Sequence, residues 1–460
     1  ADGKVLSGES SVGEATITGE PTMRAKSPGS RIYASTLNGN SALEVEVQQR
    51  GEDTTYARII RLVKEAGDRR GKTQRLADRV AQGIVYIVLT VATITFLITR
   101  DWTTTISVIL VAGACGVAAG TPLAILATTA KSARRGTIVK GGEGVEAMAR
   151  IDTVVFDKTG TLTRGTPAVQ KVTTLDGMPS DDFLATIASL EVGSDHPIAV
   201  ALRTAAKPRG TATGIEYVAG RGLRGHVEHL EVLVGNLAMM REAGIAVPPE
   251  ASQEEADAET RGHVVVFGAI AGRLKGAIHL VDEVRPEARL AVQRMKDLGL
   301  RTVMLTGDKE GPAREVASQV GIDEVHAQLL PEDKIRIVQK LKAEGRQVCF
   351  VGDGINDAPA LAESHVGVAV AAGSEAAMET ADVLLMNNDL GALADTIQAS
   401  RRSQRVILFN FAGTLVVDLI GVGLAAFGFL GPLLAAFVHV GSELVFVANS
   451  ARLFAGAYAE

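Results

Sequence analysis

The 460-residue sequence is poor in cysteine and in aromatic residues. Its two cysteines, Cys115 and Cys349, are too few for a disulfide framework. Aromatic residues make up 4% of the chain, and the net charge of −6 shows no excess of basic residues. No nucleic-acid partner is therefore expected. The chain opens with the polar residues Ala1-Asp2-Gly3, so no signal peptide is visible, and without an initiator methionine we expect a fragment.

The sequence is instead rich in glycine and in long apolar stretches. It contains 49 glycines, and its mean hydropathy of +0.18 is high for a soluble protein. Four apolar stretches are long enough for membrane-spanning helices, which need ~20 residues each. They form two hairpins, joined at Arg100-Asp101 and at Gly431-Pro432, which argues against core helices of a soluble protein. The predicted spans are Val80–Thr99, Trp102–Ala130, Val406–Gly428 and Leu433–Leu453.

Basic residues flank these spans and indicate their orientation. Because cytoplasmic flanks carry an excess of lysine and arginine, the flanks should lie on the cytoplasmic side. We therefore expect a multi-pass protein of the cell membrane with cytoplasmic catalytic domains. The flanking residues are Arg75, Arg79, Lys131, Arg134, Arg135, Arg401, Arg402 and Arg405.

A motif that begins with an aspartate follows the apolar run Asp152–Phe156, which predicts a buried strand. A carboxylate at the carboxyl end of such a strand lies where open α/β sheets bind ligands. An aspartate there can act as a nucleophile and form an aspartyl-phosphate, unless it only caps a turn. Lys158 and the hydroxyls of Thr159 and Thr161 could position the transferred phosphoryl group. The motif reads Asp157-Lys158-Thr159-Gly160-Thr161-Leu162-Thr163.

Two further motifs follow predicted strands in the same way. Thr306-Gly307-Asp308 comes directly after Thr302–Leu305, and Gly352–Asp357 comes directly after Val348–Val351. Carboxylates are ligands that Mg²⁺ accepts, and the spacing of Asp353 and Asp357 suits one such ion. Lys334 is a candidate cation for phosphate charge. Together these groups predict a phosphoryl-transfer site that works by positioning and electrostatics.

These three motifs, in this order, resemble those of the P-type ATPases, ion pumps that phosphorylate themselves on the first aspartate of the motif. The resemblance covers essentially the whole chain and implies ATP and Mg²⁺ as cofactors. It implies that Asp157 accepts the phosphoryl group and that Lys334 stabilises it. It also implies that Thr159 and Asp353 help to hold Mg²⁺ beside Asp157, with Asp357 supporting the metal site. The predicted catalytic set is completed by Lys158, Thr306, Gly307 and Asp308.

The first residues of the chain resemble part of the actuator domain of the same family. Residues 1 to about 55 have a turn-rich β character and contain Thr18-Gly19-Glu20. In the family's motif the glutamate positions water for hydrolysis of the aspartyl-phosphate; otherwise the triplet is an ordinary turn. Most members have earlier membrane helices and the front half of this domain. We therefore expect N-terminal membrane helices of the same protein to be missing from this sequence.

An insertion of about residues 165–280 separates the first motif from the second. Asp282 and Arg285-Pro286 mark the return to the phosphorylation domain. The insertion resembles the nucleotide-binding domain of the heavy-metal branch of the P-type ATPases. By that resemblance, the residues that contact ATP are Glu191, His196, Gly220, Gly222, Gly235 and Asn236.

The membrane spans depart from the usual pattern of that branch. Its Cys-Pro-Cys or similar triplet is replaced, counting back from Thr121-Pro122, by Gly113-Ala114-Cys115. Paired thiolates suit Cu(I), so one thiol makes a copper pump less expected. His439 and Glu443 are four residues apart and share a helix face. Ionisable residues inside a membrane are functional candidates, although structural contacts between helices are the alternative. The predicted site for a transported divalent ion of the Zn, Co, Ni or Mn class is Cys115, Asp418, His439 and Glu443.

The predicted fold is a multi-domain α/β membrane protein. Its phosphorylation domain is doubly wound and resembles haloacid dehalogenases, with an inserted α+β nucleotide-binding domain, a partial β actuator domain and four transmembrane helices. The predicted divisions are 1–55 (actuator), 56–79 (linker), 80–130 (hairpin), 131–164 (phosphorylation domain, first part), 165–280 (nucleotide binding), 281–400 (phosphorylation domain, second part) and 401–455 (hairpin).

The predicted function is ATP-driven export of a divalent transition-metal ion through an aspartyl-phosphate on Asp157. Two alternatives remain open. A soluble phosphatase of the haloacid-dehalogenase type would share the aspartates and the lysine but has no use for membrane hairpins. The catalytic subunit of a potassium pump would share the first motif but is not expected to combine His196-Pro197 with Cys115 and His439.

Overall fold

The computed structural model describes residues 1–13, 23–39, 41–54, 57, 72–112, 115–175, 177–194, 196–218, 220–353, 357–370 and 375–455. The N-terminal residues form two small antiparallel sheets, with strand orders β4-β1-β6 and β3-β2-β5. Val5 and Val12 are buried. This agrees with the predicted β character, whereas Glu20 lies outside the described residues. The strands are β1 Asp2–Ser7, β2 Ser10–Gly13, β3 Met23–Lys26, β4 Arg31–Ile32, β5 Leu37–Asn38 and β6 Glu44–Gln49.

Three helices follow: α1 (Lys72–Thr99), α2 (Trp102–Val111) and α3 (Cys115–Arg134). Asp101 begins α2 by accepting hydrogen bonds from the backbone N–H groups of Thr103 and Thr104. The prediction that Trp102–Ala130 forms one span is wrong, because α2 ends at Val111 and Ala112 has an extended backbone. Glycines at positions 113 and 116 flank this break, and glycine costs about 1 kcal/mol relative to alanine inside a helix.

The chain then enters a doubly wound domain and leaves it for the insertion. The first part comprises β7 Thr137–Val139, α4 Gly141–Arg150 and β8 Thr153–Asp157. The insertion comprises β9 Thr163–Thr174, α5 Ser180–Leu190, α6 Pro197–Ala205, β10 Ala212–Val218, β11 Gly222–Val227, β12 Leu230–Gly235, α7 Leu237–Glu242, α8 Pro249–Arg261, β13 Val264–Ile270 and β14 Arg273–Val284.

The second part of the doubly wound domain leads into two long helices. It comprises α9 Ala288–Asp297, β15 Arg301–Leu305, α10 Glu310–Val320, β16 Glu324–His326, α11 Pro331–Ala343, β17 Val348–Gly352, α12 Ala358–Glu363, β18 Val366–Val370, α13 Glu375–Thr380 and β19 Val383–Leu385. The two long helices are α14 Leu390–Ala426 and α15 Pro432–Ala455.

The central sheet has the strand order β16-β15-β8-β17-β18-β19-β7, and only its last pair is antiparallel. Strand β8 lies between β15 and β17, with Asp157 opposite Leu305 and Phe156 opposite Val351. Phe156 and Phe350 are fully buried because apolar helices cover both faces. Cys349 is buried in this core. The three predicted motifs therefore begin at the same edge of one sheet.

The insertion contains an antiparallel sheet with the order β10-β11-β12-β13-β14-β9. Strands β9 and β14 are 12 residues long and pair with each other. Strand β9 begins two residues before the predicted insertion of 165–280, and strand β14 ends four residues after it. These two strands are the covalent connection between the insertion and the central domain.

Helix α14 belongs to both the doubly wound domain and the membrane part. It is one helix of 37 residues, ~55 Å long at 1.5 Å per residue, so the predicted division at 400 falls inside it. Near its start, Leu393 and Ile397 pack in one buried cluster with Phe156. Among the described residues, three helices are long and apolar enough to cross a membrane, against four predicted. They contain the candidate spans Gln82–Thr99, Leu390–Ala426 and Pro432–Phe454.

Candidate active site at the edge of the central sheet

The predicted nucleophile is held in a buried position by a lysine. Asp157 is the last residue of β8, and it is 6% exposed. Lys334, in the first turn of α11, places its Nζ 2.6 Å from Oδ1 of Asp157 and 2.8 Å from Oδ1 of Asp357. The predicted cation thus contacts the predicted nucleophile and one of the predicted metal-binding carboxylates.

Three carboxylates converge at this point. The ligand atoms of Asp157, Asp353 and Asp357 all lie within 4.8 Å of one another, which no other group of three or more His, Cys, Asp or Glu side chains does in the described part of the chain. Asp357 fits because Gly352 has no side chain: a Cβ there would lie 2.7 Å from Oδ2 of Asp357. Residues 354–356, the middle of the third motif, lie outside the described residues.

The electrostatics of the cluster favour a bound cation. Burial, together with the negative charge of Asp357, raises the pKa of Asp157 to about 7, although Lys334 opposes the shift. Burial and Asp357 also raise the pKa of Asp353. Burial lowers the pKa of Lys334, but the two carboxylates outweigh it and raise the pKa overall. Three carboxylates against one ammonium leave a deficit of positive charge that fits Mg²⁺, an ion that prefers oxygen ligands.

The first and second motifs are joined by an ion pair between Lys158 and Asp308. The backbone N–H of Asp308 donates to Oγ1 of Thr306 at 3.1 Å, which shapes the loop around Gly307. Thr159 is exposed beside the buried nucleophile, as expected for a residue that meets an incoming ligand. Among the described residues, the buried hydroxyl of Thr161 has no hydrogen-bond partner.

Two residues that the sequence analysis did not assign to the site, Arg285 and Asp282, hold the nucleophile loop. Arg285 donates from Nε to the carbonyl of Thr161 at 2.9 Å and from Nη2 to the carbonyl of Gly160 at 2.8 Å. Asp282 accepts from Oγ1 of Thr163 at 2.6 Å and from the backbone N–H of Gly165 at 2.8 Å. The available signal in the sequence was Asp282 together with Arg285-Pro286, which the sequence analysis used only to mark a domain boundary.

The glycine motifs of the insertion come together around Asn236. Gly222 and Gly235 face each other across β11 and β12. A Cβ at Gly222 would lie 1.9 Å from the carbonyl of Val234, so only glycine fits, and its φ of +151° also favours glycine. Asn236 donates from Nδ2 to the carbonyl of Gly220 at 3.2 Å and caps α7 by accepting from the N–H of Met239. Four of the six predicted nucleotide-binding residues thus form one turn.

Glu191 and His196 lie at the two ends of the loop between α5 and α6. Arg203 fixes this loop through the carbonyls of Glu191 and Ser194, at 2.5 and 2.7 Å. Burial raises the pKa of Glu191 to about 7, although Arg203 opposes it. His196 caps α6 and is exposed. Leu190, next to Glu191, and Leu223, next to Gly222, belong to one buried cluster, so the start of this loop packs against β11, the strand that begins at Gly222.

The predicted ion-binding residues of the membrane helices are brought together only in part. His439 and Glu443 face each other along α15, with Nε2 and Oε1 3.5 Å apart. Asp418 is buried on α14. Among the described side chains, Asp418, His439 and Glu443 do not form a group within ligand distance of one another. The side chain of Cys115 lies outside the described residues, so its part in the set remains a prediction.

A second polar group that the sequence analysis missed joins helices α3, α14 and α15. Asn410 of α14 donates to Oγ of Ser450 at 2.9 Å and to the carbonyl of Phe446 at 3.1 Å. It accepts from Nδ2 of Asn449 at 2.6 Å, and Ser450 donates to the carbonyl of Gly120 in α3. Uncharged amides and hydroxyls within apolar runs were the available signal.

Comparison with known proteins agrees with this geometry. Models of haloacid dehalogenase-like hydrolases match residues 151–365 and 335–397, and a model of the P-type ATPase actuator domain matches residues 1–64. The chain is 36% identical to a copper-exporting P-type ATPase of Bacillus subtilis and 37% identical to a probable copper-exporting P-type ATPase V of Mycobacterium tuberculosis. Each alignment covers 98% of this chain but only 58% and 60% of those proteins.

A solved structure of a zinc-transporting PIB-type ATPase in the E2.Pi state is similar over nearly the whole chain. The TM-score is 0.72 at 31% identity, and the match covers 99% of this chain and 76% of that one. The fold is therefore shared along nearly the whole chain.

Proposed function

The chain belongs to the heavy-metal branch of the P-type ATPases, and we propose that it takes part in ATP-driven export of a heavy-metal ion across a membrane. The observation that carries the proposal is the buried contact of Lys334 with Asp157, beside Asp353 and Asp357. Because the chain spans about three fifths of its curated relatives, the activity belongs to the full-length protein. The catalytic domains lie in the cytoplasm, attached to helices that span the membrane.

We infer that Asp157 attacks the terminal phosphorus of ATP. A carboxylate oxygen of Asp157 forms a bond to that phosphorus, the bond to the bridging oxygen of ADP breaks, and ADP leaves. Lys334, 2.6 Å from the nucleophile, faces charge that develops on the transferred group. Asp157, Asp353 and Asp357, with Thr159, would hold Mg²⁺, which supplies neutralising charge. Water, positioned in this proposal by Glu20, then hydrolyses the aspartyl-phosphate.

The nucleotide is proposed to bind the inserted domain through its six predicted residues. The loop of Glu191 and His196 starts beside Leu190, which packs with Leu223 of β11. The turn of Gly220, Gly222, Gly235 and Asn236 lies at the start of that same strand. Close approach of a ligand to the backbone is possible at Gly220, which is exposed and has no described atom within 4 Å of the position of an added Cβ. The long paired strands β9 and β14 connect this domain to Asp157.

For the transported ion we propose a divalent transition metal moved out of the cytoplasm. The supporting observation is the His439–Glu443 pair, an imidazole and a carboxylate inside a membrane helix, in a chain with one cysteine in its membrane spans. Nitrogen and oxygen donors suit Zn²⁺, Co²⁺, Ni²⁺ or Mn²⁺ better than Cu(I). Cu(I) is the second candidate, because the relatives at 36% and 37% identity are named as copper exporters.

The test is ATPase activity of the full-length protein across Zn²⁺, Co²⁺, Ni²⁺, Mn²⁺, Cu(I) and K⁺. We expect stimulation by a divalent metal, its loss in Asp157→Asn, and a weaker metal response in His439→Ala. Val440→Ala, an exposed neighbour on the same helix, is the matched control and should respond as the wild type does. Stimulation by Cu(I) alone would establish the second candidate. Stimulation by K⁺ alone, or hydrolysis of phosphate esters without a metal response, would support the potassium-pump or phosphatase alternative.

A further inference from the structure

Arg401 holds helix α14 to the catalytic domain near the point where the helix leaves that domain. Arg401 donates from Nη1 to the carbonyl of Leu298 at 2.7 Å and from Nη2 to the carbonyl of Ile151 at 2.9 Å. Leu298 ends α9, and Ile151 comes two residues before β8, the strand that ends at Asp157. The planar guanidinium is the side chain suited to hold two acceptors at once.

A second junction lies six residues, about 1.7 turns, earlier on the same helix. Asp395 forms ion pairs with Arg294 of α9 and with Arg135, which follows the membrane helix α3. The side chain of Asp395 is 18% exposed, so the solvent screens these pairs only in part. The junction therefore joins the catalytic domain, the end of one membrane hairpin and the start of the other.

The same helix carries a predicted ion-binding residue. Asp418 lies 17 residues after Arg401, ~25 Å further along one uninterrupted helix. Gly421, on the same face as Asp418, allows contact with Val111 at the end of α2, since a Cβ at Gly421 would lie 2.6 Å from a methyl group of Val111. A displacement of the base of β8 would thus move the helix that holds Asp418.

We propose that Arg401 and the Asp395 junction are the positioning residues that couple phosphorylation at Asp157 to the ion-binding helices. This rests on the proposed function. The proposed coupling assigns hydrolysis of the aspartyl-phosphate, and its reverse, labelling of Asp157 by inorganic phosphate, to the metal-free form. Bound metal must then suppress this labelling. Because coupling between two sites is reciprocal, phosphorylation of Asp157 must weaken metal binding by the same factor. Arg401 contacts neither Asp157 nor the predicted ion-binding residues. It therefore acts on the coupling between the two sites and not on phosphoryl transfer itself.

The experiment measures labelling by inorganic phosphate, with Mg²⁺, against the concentration of the stimulating metal, in full-length wild type, Arg401→Gln, Arg401→Lys and Asp395→Asn. We expect normal labelling without metal in all four. We expect the metal concentration for half-suppression to rise at least about fivefold in Arg401→Gln, and less in Arg401→Lys. Arg402→Gln is the matched control, since Arg402 is the adjacent, exposed arginine of the same helix, and it should behave as the wild type does.

Three results of this labelling experiment would overturn the proposal. One is a wild-type metal response in Arg401→Gln, and another is an equal loss in Arg402→Gln, which would indicate a general charge effect. The third is loss of labelling without metal in Arg401→Gln, which would make Arg401 a folding residue only.

A metal-independent readout separates this inference from the proposed function. In full-length protein in which Trp102 is the only tryptophan, we expect beryllium fluoride at Asp157 to shift the emission of Trp102 in the wild type and in Arg402→Gln but not in Arg401→Gln. If the wild type responds to beryllium fluoride but to no transition metal, the proposed function fails and the coupling stands. Equal shifts of the Trp102 emission in Arg401→Gln and wild type would refute the coupling through Arg401 and leave the proposed function standing.

Discussion

Gly160 and Asp353 lie so close together that a Cβ at Gly160 would fall 1.7 Å from Oδ2 of Asp353. The nucleophile loop and the third motif therefore share space that a side chain would fill. The φ of Gly160, +74°, also lies in the left-handed region that favours glycine. Glycine at this position lets a carboxylate approach the loop that follows Asp157.

Substitution of Gly160 tests this relationship. In Gly160→Ala we expect labelling of Asp157 by ATP, and by inorganic phosphate with Mg²⁺, to be abolished, because the methyl group displaces the Asp353 carboxylate. Gly299→Ala is the matched control: its φ is +77°, but nothing lies within 4 Å of the added Cβ. It should keep labelling and lose about 1–2 kcal/mol of stability from backbone strain alone. Equal activity of the two variants would contradict this account.

The raised pKa of Asp157 predicts a pH dependence of stability. Its pKa is about 7 in the folded, metal-free protein, against about 3.9 for a free aspartate. The stability that this protonation contributes is fully present below the unfolded pKa and is lost as the pH rises through about 7. We expect the thermal midpoint in chelator to fall more steeply in wild type than in Asp157→Asn between about pH 5 and pH 8. Asp181→Asn, at an exposed position, should follow the wild type.

Labelling by ATP and labelling by inorganic phosphate can be compared to distinguish the role of the nucleotide-binding residues from that of the phosphorylation site. We expect His196→Ala to weaken labelling by ATP while labelling by inorganic phosphate stays intact, because the inserted domain lies apart from Asp157. His226→Ala, an exposed histidine of the same domain, should label as the wild type does with both. Equal loss of both reactions in His196→Ala would indicate a folding defect instead.

Arg285 should be required for the shape of the nucleophile loop. In Arg285→Lys the positive charge remains, but one ammonium cannot replace two bonds to the carbonyls of Gly160 and Thr161. Loss of about one charged hydrogen bond, ~1.5 kcal/mol, corresponds to a labelling rate about tenfold lower. The ATP concentration for half-maximal labelling should change little. Arg289→Lys, exposed on α9, is the control, and an unaltered rate in Arg285→Lys would remove Arg285 from the site.

The sequence predicted those features that follow from local patterns. The apolar runs before Asp157, Thr306 and Asp353 indicated strands, and because parallel strands end at one edge, the meeting of the three motifs followed. The spacing of His439 and Glu443 likewise placed them on one helix face, and the contact between them confirms it. The order of the motifs identified the family.

Features that depend on pairing between distant segments could not be predicted in this way. Arg285 contacts a loop more than 120 residues earlier only because β9 pairs with β14. The Asn410 group depends on the packing of α3, α14 and α15. The break after Val111 was missed because hydropathy counts apolar residues and does not record where helical hydrogen bonds stop.

The ribbon of β9 and β14 constrains how the nucleotide can reach the nucleophile. Because β9 and β14 are paired, the inserted domain is connected by a hydrogen-bonded ribbon and not by two separate flexible linkers. The register between the strands is irregular between Asp282 and Val284, and irregular pairing is where a ribbon bends. Asp282 itself accepts hydrogen bonds from Thr163 and Gly165. A bend of the ribbon at Asp282 would therefore displace the loop that follows Asp157.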